Sequence, residues 1–350
     1  MYCVPYDTGK VLMIDPVKEI FEEVGEKTKD AVSKYTECAA AHNFTGFLYA
    51  APFKGTDYVL EINPMTGIVR EVGERIPHHT SDAMWWGVKA SPTCLKIFAA
   101  PYDARRVLMI DPNNGGRAVE VGPDLGDVRG KYCCLELAPN GNLYAPPFNA
   151  SQVLQIDSKG NVSLTGPKLG GSKVRKYSCL VLGANKLLYA PPLEADQVLE
   201  INPNRGDSKL IGPVIGTGEA KYACACLHSN RKIYAAPLEG RRVLEIDCED
   251  HEVREIGFDL GSEMEKYSCI CEAPVTGKLY AAPRAARQFL EIDPEKGFVR
   301  EVGPDLGPLA RKYTVMLPGR PIQPPPVVKV ERFATTAAVP KQLAAPPVAQ

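Results

Sequence analysis

The 350-residue chain has no apolar run near the roughly 18–20 residues that cross a bilayer, so no helical membrane span is expected. It has no excess charge of either sign: 41 basic residues face 42 acidic ones, for a net charge of −1. Bulk charge therefore gives no reason to expect a nucleic acid or a membrane surface as partner. Its opening, Met1-Tyr2-Cys3-Val4-Pro5, has neither the basic region nor the apolar stretch of a signal peptide. Catalytic motifs are missing too: there is no Gly-x-Ser-x-Gly elbow, phosphate-binding loop or His-Glu-x-x-His pair. No catalytic residue and no cofactor is expected. Cysteine is plentiful at eleven, but no Cys-x-x-Cys pair sits at zinc-finger spacing from a second pair, so no metal site is expected. Cys224/Cys226 and Cys269/Cys271 are two apart, on one face of a strand. Read as reduced, buried thiols, they favour an intracellular compartment.

What is present is a repeat. A tyrosine followed by small residues and proline recurs at Tyr2, Tyr49, Tyr144, Tyr189, Tyr234 and Tyr280, with Phe98 in the same place. A Lys-Tyr pair recurs at Lys34, Lys131, Lys176, Lys221, Lys266 and Lys312, and Trp85-Trp86 occupies the seventh slot. Each unit holds four short runs rich in Tyr, Val, Ile and Leu, bounded by Gly, Pro, Asn or Asp; in the best-marked unit they cover 221–227, 232–236, 242–247 and 253–256. Turns such as Asp111-Pro112-Asn113-Asn114-Gly115 join the third and fourth runs, where Asp, Pro and Gly supply hairpin chemistry rather than catalysis.

Four strands at this period make one blade of a β-propeller, and a lone blade cannot bury both faces of its sheet. The expected fold is all-β: a seven-bladed β-propeller over 1–317 with four antiparallel strands per blade. The chain begins in a second strand and its last repeat element is a first strand. Pairing 312–317 with 1–5 would close the ring and hide the sheet edges. Residues 318–350, with Pro324-Pro325-Pro326, Pro346-Pro347 and many alanines, form an extended tail that cannot fold alone. The tail is expected to dock on a partner or on the propeller surface, and the alternation in 327–333 suits addition to a sheet edge.

The unit Gly277-Lys-Leu-Tyr-Ala-Ala-Pro283, with Phe289-Leu-Glu-Ile-Asp-Pro294 and Val299-Arg-Glu-Val-Gly303, resembles YVTN-type or NHL-type (WD-repeat-like) propeller repeats. The resemblance covers 1–317 and implies a fold rather than a reaction, because such propellers serve many functions. The Gly-His and Trp-Asp marks of WD repeats, the kelch double glycine and the sialidase Asp-box are missing.

In a propeller the loop entering the first, innermost strand shares the top face with the loop between strands two and three. The six lysines then stand in a ring near the channel mouth, an anion-binding candidate that the Asp of the Pro-Asp-Leu-Gly loops would otherwise neutralise. Arg105, Arg106, Arg241 and Arg242 join the same face. The segment 74–86 is longer than its counterparts and carries His78, His79, Trp85 and Trp86, which makes it the preferred partner contact. The simpler arrangement puts Trp86 in the tyrosine slot and Trp85 over the channel. Cys134, Cys179, Cys224 and Cys269 fall on consecutive inner strands, where a small apolar side chain suits the narrow wedge between blades. Glu37 and Glu136 could hold an axial metal, as in lactonase-like propellers, but the supporting Glu, Asn and Asp set is not apparent. The leading functional expectation is a non-enzymatic scaffold that binds other protein subunits through its top face and tail. The alternatives are a lactonase-like hydrolase and a small-anion receptor at the lysines.

Overall fold

The computed structural model describes residues 2–313 and 316, except 16–19, 29–30, 44, 77–82, 171–174, 217–218 and 310. Residues Met1–Pro318 form one compact unit; the second, Gly319–Gln350, lies outside the described residues, so the tail expectations fall there. Among the described residues no helix is long and apolar enough to cross a membrane.

Seven antiparallel sheets follow one another along the chain. Blade 1 has three described strands, Tyr2–Cys3, Val11–Asp15 and Ile20–Val24; blades 2 to 7 have four each. Blade 6 runs Cys226–Leu227, Lys232–Ala235, Val243–Asp247 and Val253–Ile256, so three of its four runs stand within one residue of the sequence boundaries. Its inner strand is shorter than expected. The backbone before Cys226 faces the preceding blade: Lys221 N donates to Leu193 O (2.7 Å) and Tyr222 N to Pro192 O (3.2 Å). A backbone donor serves one ladder at a time, so the amides of this segment tie blade 6 to blade 5, while the Lys221 carbonyl still accepts from Leu238 N of its own blade (2.8 Å). From blade 2 to blade 7 each inner strand lies beside the next. Half of the strand expected to close the ring (314, 315 and 317) falls outside the described residues. Tyr313, at its start, packs its ring on Phe289 at 6.0 Å and accepts a hydrogen bond from Ser268 through its carbonyl (3.4 Å).

The core is the set of wedges between blades, filled by the repeated tyrosines and by Val, Leu and Ile of the second and third strands. The glycine that ends blades 1, 3, 5 and 6 also has a packing reason. Gly25, Gly122, Gly212 and Gly257 adopt φ of +82°, +85°, +73° and +80°, and a Cβ there would come within 2.4–2.7 Å of Val69, Val162, Val253 or Val299 on the next blade. Across each sheet runs a ladder from second to fourth strand. In blade 2 it reads Tyr49–Glu61–Arg70, with Tyr49 Oη donating to Glu61 (2.7 Å) and Arg70 Nε to the same carboxylate (2.7 Å). Blade 7 repeats it as Tyr280–Glu291–Arg300. In blade 3, where phenylalanine replaces the tyrosine, the register reads Phe98–Met109–Val119. With no hydroxyl to hold a buried carboxylate, all three rungs are apolar.

Candidate functional site: the top-face rim

The rim grows from a belt of backbone hydrogen bonds. The residue four after each repeat tyrosine is Tyr6, Phe53, Tyr102, Phe148, Leu193, Leu238 or Arg284. Its carbonyl accepts from the amide in the lysine slot that follows, and its amide donates to the lysine-slot carbonyl of its own blade. The run starts with Lys34 N to Tyr6 O (2.9 Å) and Phe53 N to Lys34 O (2.7 Å), passes through Met84 in blade 3, and ends with Lys312 N to Arg284 O (2.8 Å). The bond from Tyr6 N to Lys312 O that would complete the circle is not formed among the described residues.

The collar lysines hold this belt from inside. Lys34, Lys131, Lys176, Lys221 and Lys266 are buried, and Lys312 is partly so. Their ammonium groups turn into the protein. The acceptor three residues back is Ala31 O for Lys34 (2.6 Å), Val128 O for Lys131 (2.6 Å), Glu263 O for Lys266 (2.7 Å) and Leu309 O for Lys312. A second acceptor lies on the preceding blade's loop: Asp103 O for Lys131 (3.1 Å), Asn149 O for Lys176 (3.5 Å), Glu239 O for Lys266 (3.4 Å) and Ala285 O for Lys312 (3.2 Å). Burial lowers the affinity of Lys131, Lys176 and Lys266 for their protons. The residue before each lysine takes a left-handed turn: Ser33, Gly130, Arg175, Ala220, Glu265 and Arg311 have φ between 47° and 62°. For the five non-glycine residues this is a strained conformation that the staple holds in place. It leaves apolar side chains standing in solvent at the loop tips: Val32 is 63% exposed, Val128 52%, Met264 68% and Leu309 71%.

The Asp residues expected to neutralise the lysines bind arginines instead. Arg105 donates to Asp124 (2.9 Å), Arg241 to Asp259 (2.8 Å) and Arg287 to Asp305 (2.9 Å), while Arg106 and Arg242 reach the carbonyls of Gly122 and Gly257. The guanidinium holds each of these exposed carboxyls below the usual carboxylate range. Blade 2 carries the same clip with the charges exchanged, Asp57 against Arg75 at 2.8 Å. In blade 6, Arg241, Arg242, Lys221, Glu255 and Asp259 line a groove of about 480 Å³, whose Glu255 accepts from Tyr222 Oη (3.0 Å).

Inside the belt the rim splits into two halves. Tyr6, Phe53, Trp86, Tyr102 and Phe148 form a continuous crescent across blades 1 to 4, with neighbouring ring centroids 6.3, 5.3, 5.3 and 6.0 Å apart. The other half is ionic: Arg175 pairs with Glu194 and lies 3.9 Å from Glu219, while Glu265 binds Arg284 (3.1 Å) and lies 3.9 Å from Arg311. The expectation for the two tryptophans needs correction. Trp85 is fully buried and takes the tyrosine slot, its Nε1 donating to Arg106 O (3.0 Å) as Tyr132 Oη does to Gln152 O (2.9 Å). A residue with no exposed surface contacts no partner; Trp86 is the partly exposed member and joins the crescent. His78 and His79 lie outside the described residues. The crescent was missed from the sequence, although its signal was present: the fourth residue after the tyrosine is aromatic in the first four repeats only.

Glu37 accepts from Val88 N (3.2 Å), and burial raises the pKa of its carboxyl. Glu136 pairs with Lys89 (2.9 Å). Among the described residues no three His, Cys, Asp or Glu side chains converge to hold a metal. All eleven cysteines are free thiols; burial pushes Cys179 up to about 12 and Cys38 to about 11, which keeps both protonated and inert.

No protein-family model matches the chain, and no curated protein matches it in sequence. Solved structures do resemble it. Virginiamycin B lyase from Staphylococcus aureus is 14% identical with a TM-score of 0.54, over 77% of this chain and 83% of that one. A catalytically inactive form of that enzyme with quinupristin gives 0.56 at 12% identity, over 87% of both chains. The dihydro-heme d1 dehydrogenase NirN in complex with DHE gives 0.61 at 12% identity, over 89% of this chain and 64% of that one. The likeness is one of fold. This chain is a β-propeller.

Proposed function

We propose that this propeller is a non-enzymatic docking scaffold that binds a protein segment on its top face, with the aromatic crescent as the contact. The observation that carries the reading is the crescent itself: five touching rings, with Tyr6 and Trp86 partly open to solvent, where the repeat elsewhere has leucine or a salt-bridged arginine. Buried lysine staples brace the loops around it, so the surface is preformed and binding spends little on ordering. Aromatic anchors in a rigid setting are where binding energy concentrates. The carbonyl partners of the ammonium groups favour a loop-holding role for the lysines over an anion site. The free thiols support an intracellular setting, and the repeat is best assigned to the YVTN or NHL type.

A second reading, an enzyme acting on a ligand held at the same mouth, is favoured by one observation: two of the proteins that share this fold are a streptogramin B lyase and a dihydro-heme d1 dehydrogenase. The experiment is cross-linking with mass spectrometry on the full chain, comparing wild type with Tyr6→Ala/Trp86→Ala. A stoichiometric protein cross-linked to the crescent and lost in the variant is expected. Recovery of the same protein from the variant would sink the docking reading. A partner-free chain that opens quinupristin, esters or lactones would establish the second reading instead.

A further inference from the structure

We infer that the crescent recognises a proline-rich segment in polyproline II conformation, supplied by another protein. This rests on the docking reading and names the chemistry of its occupant. In the wedge slot of blades 2 to 7 the aromatic polar group is spent: Trp85 Nε1 and the hydroxyls of Tyr35, Tyr132, Tyr177, Tyr222 and Tyr267 all donate to backbone carbonyls. Tyr6, Trp86 and Tyr102 differ, making no side-chain hydrogen bond among the described residues. The crescent therefore presents three unspent donors set on apolar rings.

A polyproline II chain is the complement of such a surface. It makes no internal hydrogen bonds, so its carbonyls are bare acceptors, and its prolyl rings pack on aromatic faces with little ordering entropy left to lose. An amphipathic helix has already used its carbonyls internally and would cover the three donors without pairing them. Stacked nucleic-acid bases need a cationic groove to hold the phosphates. Here Arg175, on the ionic half, is already paired with Glu194. The ring planes also suit the assignment: successive members are tilted by 31°, 73°, 46° and 39°, giving ridges and furrows rather than a flat stacking floor. A helix with three residues per turn seats its prolines in such furrows.

The test is titration of a decaproline peptide into the full-chain protein, followed by calorimetry and tryptophan fluorescence. Saturable binding is expected, weakened more than tenfold by Trp86→Ala. Trp86→Phe and Tyr102→Phe keep the packing and remove only the donor, so each should weaken binding about three- to tenfold while leaving the thermal midpoint in place. Arg284→Ala, on the ionic half, should bind within twofold of wild type. The inference is overturned if decaproline does not saturate, if both donor-removing variants bind as wild type, or if an amphipathic helical peptide binds more tightly. Should decaproline fail while a cross-linked partner still maps to the crescent, only the proline assignment falls. Should both fail, the docking reading falls with it.

Discussion

The two halves of the rim are built on the same belt yet present opposite surfaces. In blades 1 to 4 the fourth residue after the repeat tyrosine is aromatic and the rings touch; in blades 5 to 7 it is leucine, leucine and arginine, among ion pairs. Below the rim, Glu37 and the Lys89–Glu136 pair belong to blades 2 to 4, while Cys134, Cys179, Cys224 and Cys269 follow one another through blades 4 to 7. The backbone belt and the lysine staples recur in both halves, so they belong to the fold. What differs between halves is free of that duty and is where function is to be sought.

The sharpest way to break the comparison is at the adjacent tryptophans. Trp85→Ala empties a fully buried slot and should cost about 3–5 kcal/mol, read as a lower urea midpoint. Trp86→Ala should cost clearly less while removing partner binding. If the two cost the same, Trp86 is core and the crescent is packing alone. Next come the staples, which should behave alike on both sides. Lys131→Met and Lys266→Met, each matching what blade 3 carries at Met84, should lose about 2–3 kcal/mol by leaving buried carbonyls unpaired. A large difference between them would mean the halves are not braced equally.

A pH titration sharpens the channel contrast. The pKa of the Glu37 carboxyl is raised in the folded state, so the native protein holds this proton more tightly than the unfolded chain. Its contribution is fully present below the unfolded value, near 4.5, and is lost as pH rises through the folded value. Glu37→Gln should therefore melt higher than wild type at neutral pH, and the gap should close as pH falls toward 4. A gap that does not change with pH would show that the carboxyl is not held protonated. The smallest effect concerns the exposed clips. Exchanging the charges, Arg105→Asp with Asp124→Arg, should leave the thermal midpoint unchanged, since blade 2 already runs the clip in reverse through Asp57 and Arg75.

Most of the architecture was legible because a repeat states its own period. The tyrosine and lysine marks placed all seven blades, and turn chemistry placed the ends of the third and fourth strands in blade 6. In blade 6 the inner strand is shorter than expected, and the amides of its first residues bond to the preceding blade, a lateral relation that no local pattern encodes. The site was less legible for the same reason. Two tryptophans in a row satisfy the slot equally well on paper, and only the direction of each side chain decides that Trp85 enters the wedge. An Asp near an Arg and a Lys can neutralise either; the third-residue carbonyl claims the lysine, which leaves Asp124, Asp259 and Asp305 to the arginines.

By itself, then, the amino-acid order determined that this chain is built of seven like units, that each is a four-stranded hairpin set, and that aromatic side chains must fill the gaps between them. Period, strand pattern and turn residues are local properties, and local properties survive in a linear text. Only the tertiary structure decided which face of each strand meets its neighbour, that the lysine ammonium groups turn inward, and that Tyr6, Phe53, Trp86, Tyr102 and Phe148 touch. Those choices are made by packing between blades some 45 residues apart, where one hydrogen-bond acceptor outcompetes another only once both are in place.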